Sequence, residues 1–332
     1  MTASPRFCIY GAGAIGGMIA ALLAQAGATV SVVARDETLA ALKCHGLRLI
    51  IDGEPRQVSL RATADPAELG PQDYLVIAVK APSLPAVAAR IGPLLGPETA
   101  VVPAMNGVPW WFFANGGGAL AGQKLAAVDP DGAIGRAIPT ASVIGCVVHI
   151  ASSRDAPGII RHSGGHRLIV GEPDGRSTPR LARLAHWLRR AGLDCEESPD
   201  IRRDIWLKLW ANLSINPISM LTAATSDRII DDPLVHELCV AMMEEAARVG
   251  EAIGIAGALP VETMIATARA VGSFKTSMLQ DVEHGRPVEI DALLTVTHDI
   301  GQMVGVPTPF IDSVLGLARL RAAGLGLLDR AA

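Results

Sequence analysis

Residues 6–35 run as a strand, a glycine-punctuated turn, a charge-free helix and a second strand, and few folds accept that order. Gly11-x-Gly13-x-x-Gly16 directly follows the short strand expected over Arg6–Tyr10 and opens a helical stretch over 14–26, which Gly27 stops. Residues 29–34 then read as a β-branched strand. In such a βαβ unit the first glycine makes the tight turn and the second lets the backbone approach a pyrophosphate. The third lets helix and strand pack closely, and the helix N-terminus offers N–H donors to the phosphates. Gly11, Ala12, Gly13, Ala14, Ile15 and Gly16 are therefore the candidate dinucleotide loop. A glycine-rich turn of an unrelated fold would share the spacing but not both flanks.

No charged residue occurs from Phe7 to Ala34, a run long enough to cross a bilayer or to resemble a leader segment. The glycines inside it argue against both readings, and a parallel strand and helix buried within a covered sheet are also charge-free. A cytoplasmic location without a membrane partner is the expectation. The second strand ends at Ala34-Arg35, where an arginine accommodates the 2′-phosphate of NADP and an acid would bind the ribose hydroxyl of NAD. Arg35 points to NADPH. Asp36 could be the acid if the register slips by two, and it is also a plausible N-cap for a helix over 36–45.

The chain has 332 residues, half of them hydrophobic, enough for two domains. A net charge of −4 and no basic stripe exclude nucleic acid as an expected partner. Five widely spaced cysteines without a CxxC pair suit reduced thiols. Strands are expected at 47–51, 57–61, 74–79 and 100–104, with helices at 36–45 and 83–95, an alternation that gives a doubly wound parallel sheet. Segments 143–150, 158–162 and 166–170 read as antiparallel additions at a sheet edge. A helix over 179–191 and a strand over 193–198 follow, and beyond about residue 200 the chain reads as helices. The expected architecture is α/β: a Rossmann-type doubly wound domain over 1–199 and an all-helical domain over 200–332. The apolar helices suit a homodimer or a monomer.

Lys80 follows the 74–79 strand at the edge where open α/β sheets bind ligands, so it is a cofactor contact or a solvated lysine. Asn106-Gly107 follows the next strand at the same edge and is a polar turn or an amide for nicotinamide or substrate. Lys208, Asn212 and Asn216 recur at i, i+4 and i+8 within an otherwise apolar helix, so they share one face. Buried polar groups are costly unless paired or liganded. Hydride addition to a 2-oxo acid creates an alkoxide that needs a proton donor or cation beside it, and a partly desolvated lysine supplies either. A lysine snorkelling from a packed helix is the alternative. Asn216 precedes Pro217, which is expected to end or kink the helix. Ser277 and Asp281, followed by Glu289 and Asp291, could complete a carboxylate pocket. His162-x-x-x-His166 lies in a strand region without a third ligand, and no metal is expected.

In these motifs the chain resembles the ketopantoate reductases along nearly its whole length. The resemblance rests on Gly11-Ala-Gly13-Ala-Ile-Gly16, Asn106-Gly107, Lys208-Leu-x-x-Asn212-x-x-x-Asn216-Pro217, and Ser277-Met-Leu-Gln-Asp281 with Glu289-Ile-Asp291. It implies a Rossmann domain joined to a helical domain, both contributing to the active site. It implies reduction of 2-dehydropantoate to pantoate by NADPH, on the way to pantothenate and coenzyme A. It implies Lys208 as general acid, assisted by Glu289, with Asn212 and Asn216 on hydroxyl or carbonyl groups and Ser277 on the substrate carboxylate. Asn106 would lie near nicotinamide and substrate, Glu289 and Lys80 would also touch the cofactor, and Arg35 would hold the 2′-phosphate. The aromatic run Trp110-Trp111-Phe112-Phe113 departs from the pattern: it is a loop packed on its own rings or a reshaped substrate pocket. Another 2-oxo or 3-hydroxy acid, or a non-catalytic NADP-binding role, stays open on the residues alone.

Overall fold

The computed structural model describes residues 4–116, 118–255, 260–270 and 272–328. The chain forms two compact units. The first comprises residues up to Val79, Ser83–Met105 and Ala133–Ile201, and the second Lys80–Pro82, Asn106–Gly132 and the chain from Arg202. Each unit is thus discontinuous in sequence, because 80–82 and 106–132 pack with the helices.

The first unit is built on a parallel sheet of β1 (Arg6–Tyr10), β2 (Thr29–Val33), β5 (Arg61–Thr63), β6 (Tyr74–Ile77) and β7 (Ala100–Pro103). Its order is β5-β2-β1-β6-β7. The chain winds outward from β1 to β2 and β5, then returns to β6, so the direction of winding reverses between β1 and β6. Ligands of open α/β sheets bind outside the carboxyl ends at such a point. Helix α1 (Ala14–Gln25) is buried from Gly16 to Leu23. It packs on β1 and β2 on one side and on β3 (Leu47–Ile51), β8 (Gly145–Ala156) and β9 (Ile159–Gly171) on the other. A Cβ on Gly17 would lie 2.7 Å from the Ile160 side chain. This two-sided burial is why the segment carries no charge.

The strands expected at a sheet edge instead build a second sheet. Its order is β10-β9-β3-β4, with β4 at Glu54–Val58 and β10 at Asp194–Glu197, and β8 runs antiparallel along β9. Leu47, Leu49, Ile160 and Leu168 are fully or almost fully buried in the core cluster that contains α1, so the helix dictates a covering layer. The β3–β4 hairpin turns on Asp52 and Gly53, with φ of 52° and 82°, and pairs from Ile51↔Glu54 onward. That tight turn places β4 earlier than the expected 57–61 and leaves β5 to join β2.

Two local expectations are corrected. Asp36 is not the cap of α2 (Asp36–His45): Arg35 occupies that position, and Asp36 has a left-handed φ of 51°. The helix expected over 83–95 shrinks to α3 (Leu84–Ala88) between 3-10 turns, because Pro82, Pro85 and Pro93 lack the amide hydrogens that a longer helix needs. A short α4 (Ala133–Ala137) and α5 (Pro179–Arg190) complete the unit.

The second unit is helical from α6 (Ile201–Thr222) onward. It continues through α7 (Ser226–Asp231), α8 (Pro233–Ala252), α9 (Val261–Ala270) and α10 (Ser277–Glu283). A π turn at Asp291–Thr295 leads into α11 (Val296–Val304), and α12 (Pro309–Gly324) follows. Helix α6 runs through Pro217 instead of ending there. An internal proline costs ~3 kcal/mol or more, and burial of every residue from Leu213 to Met220 offsets it. Among the described residues no helix is long and apolar enough to cross a membrane.

Candidate functional site

In the first unit, the three loop glycines meet three different surroundings. Gly11 has φ of 101°, and a Cβ there would lie 2.7 Å from the Ala78 carbonyl oxygen. Its N–H donates to the Val33 carbonyl at 3.0 Å, which ties the loop to β2. A Cβ on Gly16 would lie 2.0 Å from the Gly11 carbonyl oxygen, so only hydrogen fits between turn and helix. Gly13 caps α1 in extended geometry, and a Cβ there would meet nothing within 4 Å. Open space therefore stands before the first turn of a helix that has no acidic residue in that turn. That cradle fits a dinucleotide pyrophosphate. Ala12 is buried, while Ala14 and Ile15 open α1 half-buried. Arg35 reaches solvent beside it: its Nε lies 3.7 Å from Asp36 Oδ2, and both side chains are more than 80% exposed (83% and 82%).

In the second unit, the Lys208 Nζ donates to Asn106 Oδ1 at 2.9 Å. Lys208 and Asn212 are half-buried on α6 and Asn216 is buried one turn further on, all on the polar face that their spacing defines. Asn106 belongs to a turn that cannot shift freely. Gly107 has φ of 86°, a Cβ there would lie 2.3 Å from the Ala292 carbonyl oxygen, and Val108 N–H donates to that oxygen at 2.9 Å. Ala292 lies in the π turn, a rare element that recurs at functional sites. Three residues before it, Glu289 Oε1 accepts from the Ala81 N–H at 3.0 Å and Oε2 from Lys80 Nζ at 3.3 Å.

Lys80 also donates to Asp281 Oδ2 at 2.7 Å, and Arg286 Nε donates to Asp281 Oδ1 at 3.1 Å. Asp281 and Glu289 are both buried. Burial disfavours the Lys80 ammonium, but the Glu289 and Asp281 carboxylates outweigh it and hold its pKa above the ordinary lysine value. Burial pushes the Asp281 carboxyl above its ordinary value, against the pull of Lys80 and Arg286. A cation on each Asp281 oxygen is the geometry of a carboxylate, so the pair is an ion pair.

The fold thus joins Lys208 to Asn106 and Lys80 to Glu289. Ser277 is exposed in the first turn of α10, whose cap is Thr276, accepting from Leu279 N–H at 3.3 Å. Asp281, expected as part of a carboxylate pocket, is instead an ion-pair anchor for Lys80, and Arg286 joins the cluster with no signal in the local spacing. The aromatic quartet is buried within its own unit. The Phe112 ring lies 5.9 Å from that of Trp206, tilted by 32°, and the Arg202 guanidinium lies 4.9 Å from the Phe112 ring centroid. The run is therefore a packed loop. His162 Nε2 lies 2.7 Å from the Gly165 carbonyl oxygen.

Residues 7–175 match the family model described as ketopantoate reductase PanE/ApbA, and residues 200–322 match the model of its C-terminal domain. The 2-dehydropantoate 2-reductase of Mesorhizobium japonicum is 49% identical over 322 residues, 97% of this chain and 99% of that protein. A solved structure of a candidate ketopantoate reductase from Ralstonia solanacearum MolK2 superposes with a TM-score of 0.94 at 54% identity, covering 98% of this chain and all of that one. D-mandelate dehydrogenase, solved with NADH and anilino(oxo)acetate, gives a TM-score of 0.83 over 97% of this chain and 99% of its own. At 21% identity that likeness is one of fold alone.

Proposed function

Given that the chain belongs to the ketopantoate reductase family, whose members are nicotinamide-dependent oxidoreductases, we propose that it reduces 2-dehydropantoate to pantoate with NADPH. The observation that carries the chemistry is the Lys208–Asn106 contact on the polar face of a largely buried helix. NADPH bound at the glycine loop supplies the hydride. Lys208 stands by the substrate carbonyl oxygen and donates the proton that the new alkoxide needs, then recovers one from solvent. Asn106 orients the ammonium through a neutral amide oxygen, which leaves its charge in place. Asn212 and Asn216 hold substrate hydroxyl or carbonyl groups, Ser277 takes the carboxylate, and Glu289, held by Lys80 and the Ala81 N–H, assists Lys208 through the substrate hydroxyl.

NADPH is preferred over NADH because Arg35 is available to a 2′-phosphate. An exposed ion pair such as Arg35–Asp36 is worth only ~0–1 kcal/mol, so a dianionic phosphate displaces Asp36 readily. We place the reaction in the cytoplasm, where pantothenate biosynthesis draws on NADPH.

Purified protein mixed with NADPH and 2-dehydropantoate should consume NADPH absorbance catalytically. Turnover only with other 2-oxo acids would overturn the substrate, and tight NADPH binding without turnover would overturn the enzyme reading. Arg35→Ala should weaken NADPH by ~10-fold or more, the loss of a charge-assisted contact, and leave NADH nearly unchanged. Equal losses would remove the argument for NADPH.

A further inference from the structure

We propose that Asp281 is a positioning residue that, braced by Arg286, holds the Lys80 ammonium off Glu289 and so keeps the Glu289 carboxylate available to the reaction. The proposal rests on the ketopantoate reductase reading for the part that Glu289 plays.

The four groups form a chain of alternating charge: Arg286, Asp281, Lys80, Glu289. The contacts are 3.1, 2.7 and 3.3 Å in that order. The Lys80–Asp281 contact is the shortest, so Asp281 and not Glu289 is the firmer anchor. Asp281 is 2% exposed on α10, and its carbonyl accepts from Arg286 N–H at 2.8 Å, which fixes the brace by backbone as well as side chain. Lys80 is the mobile member, a long side chain 37% exposed. Without the Asp281 charge its ammonium has one carboxylate left and closes on Glu289 Oε2. The other Glu289 oxygen is already engaged by Ala81 N–H. Glu289 would then lose freedom to bind and to exchange a proton. The charged groups that face Asp281 are Lys80, Arg286 and Glu289; with the Asp281 carboxylate the four sum to zero, and the substitution leaves one net positive charge.

The chain has five lysines, so [ε-13C]lysine spectra resolve Lys80 once a Lys80→Met variant assigns it. In the wild type Lys80 should titrate above an ordinary lysine. Asp281→Asn should lower that titration by about one pH unit or more, as expected when one close opposite charge is removed. Arg286→Gln should move it the other way, since it deletes a competing cation. A purely structural Asp281 would not give opposite signs. In turnover, Asp281→Asn should lower kcat/KM by about 10- to 100-fold, the scale of an ångström-sized misplacement, and shift the acid limb of its pH profile downward. The loss should vanish in a Lys80→Met background, because Asp281 acts through Lys80.

A Lys80 titration unmoved by Asp281→Asn, or losses that add in the double variant, would overturn the proposal. If Asp281→Asn does not fold, the Arg286→Gln titration decides alone, and an unmoved Lys80 again overturns it. If the wild type fails to turn over 2-dehydropantoate, the functional reading falls and the lysine titration still judges the role of Asp281.

Discussion

Gly13→Ala separates a cofactor cradle from a merely tight turn. A Cβ on Gly13 meets no atom of the protein within 4 Å, and the residue's φ of −76° is ordinary for alanine. The fold therefore bears no steric cost, and the loss of unfolded-state freedom stabilises by ~0.4–1 kcal/mol where the geometry is compatible. Against that stands the weaker N-cap preference of alanine, roughly 0.5–1 kcal/mol relative to glycine. The net change in stability should lie within about 0.5 kcal/mol of zero. Binding should respond differently. The added methyl stands where a pyrophosphate must approach the first turn of α1, so at least one charge-assisted N–H contact is lost. Such a contact is worth ~1.5–3 kcal/mol, or about 10- to 100-fold in Kd. Fluorescence titration with NADPH and thermal melting by circular dichroism read the two effects separately. Gly16→Ala is the control with the opposite signature, because its Cβ would lie 2.0 Å from the Gly11 carbonyl oxygen and must destabilise the fold. A Gly13→Ala variant that binds NADPH as tightly as the wild type would refute the cradle.

Three further outcomes follow from the same contacts. Lys208→Ala should lower kcat by about 100-fold or more, the usual share of an acid–base group, with NADPH affinity nearly unchanged; an active alanine variant would end the role assigned to that lysine. Gly107→Ala combines a φ of 86° with a Cβ 2.3 Å from the Ala292 carbonyl oxygen. It should cost ~2–3 kcal/mol from left-handed strain and the lost Val108 hydrogen bond, and it should lower kcat by displacing Asn106; urea denaturation and steady-state kinetics check both. Burial pushes the Cys8, Cys195, Cys239 and Tyr74 acids up to about 12, from ordinary values of 9.0 for the thiols and 10.0 for the phenol. The unfolded chain releases these protons first, so their contribution to stability should be constant at neutral pH and fall as pH rises through about 9 toward 12. Melting temperatures across that range, with tyrosinate absorbance appearing only on unfolding, test the sign.

Much of the first unit was legible because its instructions are local. Strand β1, the glycine loop, α1 and β2 occupy one continuous stretch, and each glycine role depends on neighbours a few residues away. The polar stripe of Lys208, Asn212 and Asn216 was legible for the same reason, since helical periodicity alone puts i, i+4 and i+8 on one face. Tertiary structure decided what local spacing could not carry. Lys80 meets Asp281 and Glu289 across 201 and 209 residues of chain, a pairing that no periodicity encodes. Asp281 consequently passed as part of a motif and not as an anchor. The second sheet was hidden because apolar strands look alike whether they extend an existing sheet or cover the far face of α1. Pro217 broke no helix because burial on every side outweighed one missing hydrogen bond, a balance set by neighbours distant in sequence. By itself the sequence determined that a dinucleotide loop and a lysine-bearing helix exist; only the packed fold decided that Asn106 meets Lys208 and that Asp281 and Glu289 meet Lys80, because those pairings join segments distant in the chain.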